Sequence, residues 1–214
     1  MPRVPLIVSL LLVAGALALS AWLYPALPDQ IPTHWNIHGE ADGFGPKAVA
    51  AWILPVIGLA LVGFMALVPW LSPKGFQVDV HGRAFGVLVV ALTALFVFIH
   101  CLSLLAALRP NLAIDRALVA GVLLFFAAIG STFPGIARNF FIGIRVPWTI
   151  ASQAVWDDTH RLAGRLWVAG GIAGAVLAIC GFTMAAFLAV IPMALVPIVY
   201  SFVRYKQLER EGAL

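Results

Sequence analysis

Apolar residues in this chain are not spaced as in an amphipathic helix or an alternating strand. They come in unbroken runs at roughly 4–23, 48–70, 84–108, 116–133, 162–179 and 183–203. A run of about 20 apolar residues matches the ~30 Å hydrocarbon core of a bilayer, and a stretch without a polar face has no soluble surface to offer. The pattern predicts an all-α, polytopic transmembrane bundle of about six spans. Arg3 and the Ala18-Leu19-Ser20 triplet have features of a cleaved leader, but the run from Val4 to Leu23 is long enough to span and is read as the first span. The last two runs are separated only by a short turn near Cys180-Gly181.

The polar positions lie between these runs and orient them. With the N-terminus inside, the inner connections and tail hold Arg3, Lys74, Arg83, Arg138, Arg145, Arg161, Arg165, Arg204, Lys206 and Arg210, and the outer ones hold only Lys47, Arg109 and Arg116. The positive-inside rule then gives an N-in/C-in topology, in agreement with an even number of spans. The organisation read from this is a first unit over 1–70, two spans around an outer loop, and a second over 71–214, four spans around an inner polar stretch.

Composition supports this reading. The chain is 63% hydrophobic and only 10% charged, with a mean hydropathy of +1.03, far from the ~25% charged content of soluble domains. The net charge of +4 comes from residues at the ends of apolar runs rather than on one face, so nucleic acid is excluded as a partner and the lipid bilayer is the expected one. Cys101 and Cys180 border or lie in apolar runs without CxxC or Cys/His spacing and read as small buried hydrophobes.

The outer connection, YPALPDQIPTHWNIHGEADGFGPK, is dense in proline and glycine, which forbids a long helix and favours a fixed, turn-rich excursion. Its candidate ligand- or partner-binding residues are His34, Trp35, Asn36, Glu40, Asp42 and Lys47. Tyr24 and Trp35 also suit the headgroup level. His34, His38, Glu40 and Asp42 are acceptable zinc ligands by type, but no HExxH is present, and neither metal nor cofactor is expected.

The inner stretch, RNFFIGIRVPWTIASQAVWDDTHRLAG from Arg138 to Gly164, concentrates most of the remaining polar chemistry. Pro147 disfavours helix at Val146, and Thr149 is placed to cap a helix that starts just after Trp148 and runs from Ile150 through Gly164 into span five. On that helix Ser152, Trp156 and His160 recur every fourth residue and Thr159 follows Trp156 by three, giving one polar seam. The candidate binding residues here are Asn139, Arg145, Trp148, Thr149, Ser152, Trp156, Thr159, His160 and Arg161. Arg145 is within reach of a lipid phosphate, an anionic partner or a carboxylate such as Asp158.

Within the spans, Pro55, Pro192 and Pro197 are expected to kink or loosen their helices. Gly170, Gly174 and Ala178 form a small-residue face, read first as intramolecular packing and second as a homodimer contact. His100, near Ser103 in span three, is an ionisable group at membrane depth and is expected to face the bundle interior.

The motifs NFFIGIRVPWT, Ser152, Trp156 and THRLAG resemble the signature of the SdpI-like family of bacterial membrane proteins. The outer YP-x-LP…IP-x-HWN-x-x-GE-x-DG…K pattern resembles a membrane-associated domain of unknown function that often precedes it. The resemblance implies a multi-span protein of the bacterial inner membrane, of the immunity or receptor type, with a toxin peptide outside and a regulatory partner in the cytoplasm. Matched outer positions are Pro25, Pro28, His34, Trp35, Asn36, Gly39, Glu40, Asp42, Gly43 and Lys47. Matched inner positions are Asn139, Gly143, Arg145, Pro147, Trp148, Thr149, Ser152, Trp156, Thr159, His160, Arg161 and Gly164. Ala41 stands where the family pattern has proline.

The expected function is therefore non-enzymatic protection against, or sensing of, a membrane-active peptide. A small-solute transporter or channel is the alternative, motivated by His100 and the prolines, although no buried carboxylate or inverted repeat accompanies them. An intramembrane hydrolase using His160 with Asp157 or Asp158 is the third reading, with Ser152 or Thr159 as nucleophile and no identifiable oxyanion hole.

Overall fold

The computed structural model describes residues 2–36, 40–110, 112 and 114–214. Among these, six helices are long and apolar enough to cross a membrane, within Arg3–Ala26, Lys47–Leu71, Arg83–Leu108, Asp115–Gly135, Gln153–Ile179 and Thr183–Arg210. The protein is a multi-pass membrane protein with an all-α transmembrane part.

Helix α1 spans Arg3–Leu23. A hairpin of β1 (Gln30–Trp35) and β2 (Ala41–Pro46) follows, paired antiparallel from Gln30 opposite Pro46 to Trp35 opposite Ala41. The turn-rich excursion expected of the outer connection takes the form of this hairpin. Two register irregularities around His34 absorb the misfit, and Gly43 is needed because a Cβ there would sit 2.8 Å from that of His34. Lys47 closes the hairpin base: its amide donates to Asp29 O at 2.9 Å, and its ammonium donates to Leu27 O at 3.2 Å and lies over the Tyr24 ring.

Helices α2 (Lys47–Ala50) and α3 (Ile53–Leu71) are separate pieces, and α4 covers Arg83–Leu108. Next come α5 (Asp115–Gly130), a 3-10 turn at Phe133–Gly135, α6 (Pro147–Ala151), α7 (Gln153–Ile179), α8 (Thr183–Leu188) and α9 (Val190–Arg210). Two of the three expected kinking prolines do less than anticipated. Pro55 and Pro192 fall in the first turns of α3 and α9, where the missing N–H has no intrahelical partner anyway. Pro197 lies inside α9 and Pro69 inside α3. The turn at Cys180–Gly181 ends α7 with Gly181 at φ +94°, and Phe182 N donates to Leu177 O at 2.9 Å. Cys180 there is exposed rather than buried.

Helix α4 is the central element. It packs against α1 and α3 on one side and α5 on the other; α7 joins α5, and α9 lies beyond α7. The tightest pairing is α5 with α7, because Gly171 and Gly174 leave no room for a side chain: a Cβ on Gly171 would lie 2.5 Å from Leu123 O. Gly170 faces α9 instead, against the Met193 sulfur. Two of the three expected small residues, Gly174 and Ala178, therefore pack internally against α5, with Gly171 in the place of Gly170.

One end of the bundle holds the hairpin. Its Leu27 and Ile31 are buried against Ala50, Ala51, Leu104 and Ala107. Ser103 Oγ donates to Pro32 O, and Ser20 Oγ lies 2.6 Å from Ala51 O and 2.8 Å from His100 Nε2. His100 thus faces the bundle interior, as expected, where it ties α4 to Ser20 of α1, which in turn bonds Ala51 at the end of α2. The start of α1, the end of α9 and the inner stretch lie at the opposite end. The outward apolar side chains form the lipid-facing belt, with Trp22 and Trp70, 76% and 83% exposed, near its two edges.

Candidate functional site

The inner stretch folds as a loop clamped from below by α7. Asn139 is 1% exposed. Its Oδ1 accepts from the Phe141 and Ile142 amides at 2.7 and 2.8 Å, and its Nδ2 donates to Ala137 O and Ile142 O. Trp156 Nε1 donates to Ile136 O at 2.7 Å. The Ile144 amide donates to His160 Nε2 at 2.9 Å, so the ring proton sits on Nδ1, which donates to Trp156 O at 2.8 Å. His160 also stacks on Trp156 with centroids 4.0 Å apart and meets Phe133 edge-on.

Gly143 completes the clamp. It has φ +107°, and a Cβ there would fall 2.3 Å from His160 Nε2. Thr149 Oγ1 accepts from the Val146 amide at 3.0 Å and donates to Ile144 O at 2.8 Å. It therefore caps a helix that begins at Pro147, not after Trp148. That helix stops at Ala151, and Ser152 starts α7 afresh, with its Oγ accepting from the Val155 amide. Proline at the first helical position and the serine cap explain both boundaries.

The seam Trp156, Thr159 and His160 is brought together and fully buried, pointing into the protein. The Thr159 hydroxyl has no hydrogen-bond partner among the described residues. Both nitrogens of His160 are bonded to the backbone, so the base that a hydrolase would require is occupied. Trp148, outside the seam, donates from Nε1 to Ser201 of α9, with its ring edge-on to Phe202. Asp158 pairs with Arg204 at 2.8 Å and with Arg161 at 3.8 Å, not with Arg145. Arg145 stands apart: it is exposed and donates to Phe140 O.

At the hairpin end, His34 Nδ1 contacts Asp42 Oδ1 across the two strands. Asn36 Nδ2 donates to Glu40 Oε2 at 2.9 Å, and the Glu40 amide donates to Asn36 Oδ1 at 3.1 Å. His38 and Gly39 lie outside the described residues, so a ligand set that includes His38 has no described geometry. Among the described residues no cluster of three metal-ligating side chains forms.

His34, Trp35 and Asn36 form one wall of a crevice of about 360 Å³. The other walls are Asp115, Leu118 and Val119 of α5, and Thr183, Met184 and Phe187 of α8 and its start. Sequence reasoning missed these six because they lie in different apolar runs. The one available signal was Asp115, an acid in the short outer connection and in the first turn of α5, where the helix dipole favours negative charge.

Residues 11–59 match a domain of unknown function (DUF1648), and residues 135–201 match the SdpI/YfhL protein family. Over 193 residues, 89% of this chain and 87% of the relative, the sequence is 25% identical to Immunity protein SdpI of Bacillus subtilis (strain 168). No solved structure matches the chain. The crevice joins His34–Asn36 of the first matched region to Thr183, Met184 and Phe187 of the second, and the clamped loop is made from the matched inner residues Asn139, Gly143, Thr149, Trp156 and His160. The chain is thus similar to the SdpI/YfhL family over 135–201 and to DUF1648 over 11–59, and along most of its length to an immunity protein.

Proposed function

We propose that this chain is an immunity-type receptor of the bacterial cytoplasmic membrane, N-in and C-in, whose outer crevice engages a membrane-active peptide. Two lines support the orientation and the type. Ten of the thirteen Lys and Arg residues lie toward the end opposite the hairpin, and the relative that covers most of the chain is an immunity protein.

The observation behind the site is the shared crevice. Leu118, Val119, Met184 and Phe187 give it an apolar floor and Asp115 gives it a carboxylate, while Asp42 and Glu40 of the hairpin bond to His34 and Asn36 in its wall. Such a site suits an apolar segment that carries a cationic group. The volume, about 360 Å³, is that of a few side chains rather than a folded domain.

The test is expression in a peptide-sensitive bacterial host challenged with a panel of membrane-active peptides. The parent is expected to raise survival against at least one of them. Asp115→Asn and Phe187→Trp are expected to remove most of the gain at equal membrane abundance. Sensitivity identical with and without the parent across the panel overturns the immunity reading, and full protection by both variants overturns the crevice.

A further inference from the structure

A second cavity, of about 560 Å³, opens at the other end of the bundle and takes no part in the proposed function. It exists because α3 packs on α4 and α1 but not closely on α5 or α7, which leaves a wedge over α4. Its walls include Phe64, Leu92, Phe126, Phe133 and Trp167, and along α3 it runs from Leu61 to Val68, about 10 Å of helix axis. That depth is about a third of the ~30 Å hydrocarbon core.

The mouth is the clamped loop, Phe141 to Arg145. Its backbone is held by Asn139 and His160, so the rim is set before any ligand arrives. Arg145, exposed at this rim, spends one guanidinium donor on Phe140 O; a guanidinium has five, in a fork that matches phosphate oxygens.

We infer that this wedge is a binding site for an anionic phospholipid, with an acyl chain between α3 and α7 and the phosphate on Arg145. An apolar cavity without a charge would take any bilayer chain; the Arg145 guanidinium selects by headgroup. Basic pockets between transmembrane helices bind anionic headgroups in this way. The aromatic lining supplies contact area for the chain.

The site is tested with delipidated, full-length protein in detergent by native mass spectrometry, adding phosphatidylglycerol or phosphatidylcholine of equal chain length. The first phosphatidylglycerol is expected to bind about fivefold more tightly than phosphatidylcholine, the share of one basic side chain near an anionic headgroup. Arg145→Gln is expected to abolish the preference, and Arg145→Lys to keep most of it. Leu92→Trp, which fills the wedge without altering charge, is expected to weaken the first adduct of both lipids. Equal binding of the two lipids by the parent overturns the inference, as does a preference that survives in Arg145→Gln or a Leu92→Trp variant that binds like the parent. Inorganic phosphate at millimolar concentration is expected not to displace the lipid; displacement would show an anion site without a chain site and would equally overturn it.

Discussion

Replacing Gly143 by alanine strikes the inner loop at the point where two independent constraints meet. The residue holds φ +107°, far from the left-handed well near +57° that a side chain tolerates. A non-glycine residue held in such a region costs about 1–3 kcal/mol. The new Cβ would also lie 2.3 Å from His160 Nε2. Moving the ring breaks its bond from the Ile144 amide, and leaving a buried donor unpaired costs about 1–3 kcal/mol. The sum, about 2–6 kcal/mol, is a large part of the ~5–15 kcal/mol that holds a typical fold together. For a chain of this length each kcal/mol lowers Tm by about 2–4 °C, so a fall of at least about 4 °C is expected. A thermal melt in detergent, followed by tryptophan fluorescence and by size exclusion, reads it. Gly135→Ala is the control, since its φ is not positive and nothing lies within 4 Å of its Cβ position. His160→Ala in the Gly143→Ala background removes the ring that the new methyl strikes, so the double variant should lose less than the sum of the singles. A Gly143→Ala melt within about 1 °C of the parent, or strictly additive losses, refutes the clamp.

Other perturbations separate the remaining ties. Asp158→Asn removes the pair with Arg204 that joins α7 to α9 and the pair with Arg161 within α7; both are partly exposed, so a small fall in Tm is expected, recovered by exchanging the charges as Asp158→Arg with Arg204→Asp. Ser103→Ala frees the hairpin from α4, and hydrogen exchange in β1 should rise while Tm falls only by what ~1 kcal/mol produces; unchanged exchange would show that apolar packing alone seats the hairpin. Gly171→Ala sets a methyl 2.5 Å from Leu123 O, which cannot yield, and should cost about 1–3 kcal/mol in the melt, whereas Gly63→Ala, with open space around it, should be neutral.

The spans were readable because a bilayer imposes one length and one composition on every helix that crosses it; the first four lie within about three residues of the apolar runs, whereas the fifth helix begins at Gln153, well before its run, and the sixth continues to Arg210, well past its own. The hairpin was not readable. Prolines 28, 32 and 46 and the glycines around them exclude helix, but the pairing of Gln30 with Pro46 is stabilised by Ile31 entering a cavity made by α2 and α4, which no local pattern records. The four-residue spacing of Trp156 and His160 placed them on one face without saying which way that face turns. It turns inward, because Ile136 and Ile144 offer backbone groups for their ring nitrogens. Arg145 lies in the same motif and turns outward, so one stretch of similar polar residues divides into a scaffold and a free charge. The outer crevice was not readable as a whole: Asn36, Asp115 and Met184 meet only through the packing of two separate helices, α5 and α8, beside the end of β1.

The clamp also bears on how the chain assembles. Ile136 O and the Ile144 amide find their partners in Trp156 and His160, which lie later in the sequence, on a helix that must itself enter the membrane. Until α7 docks against α5, the loop from Ala137 to Thr149 lacks those partners and keeps its backbone in contact with water. Docking of α7 against α5 and pairing of these two backbone groups are then linked. A ribosome-bound chain that ends before Trp156 would hold four finished spans with an open inner edge, and completion of α7 seals that edge before the last helix arrives.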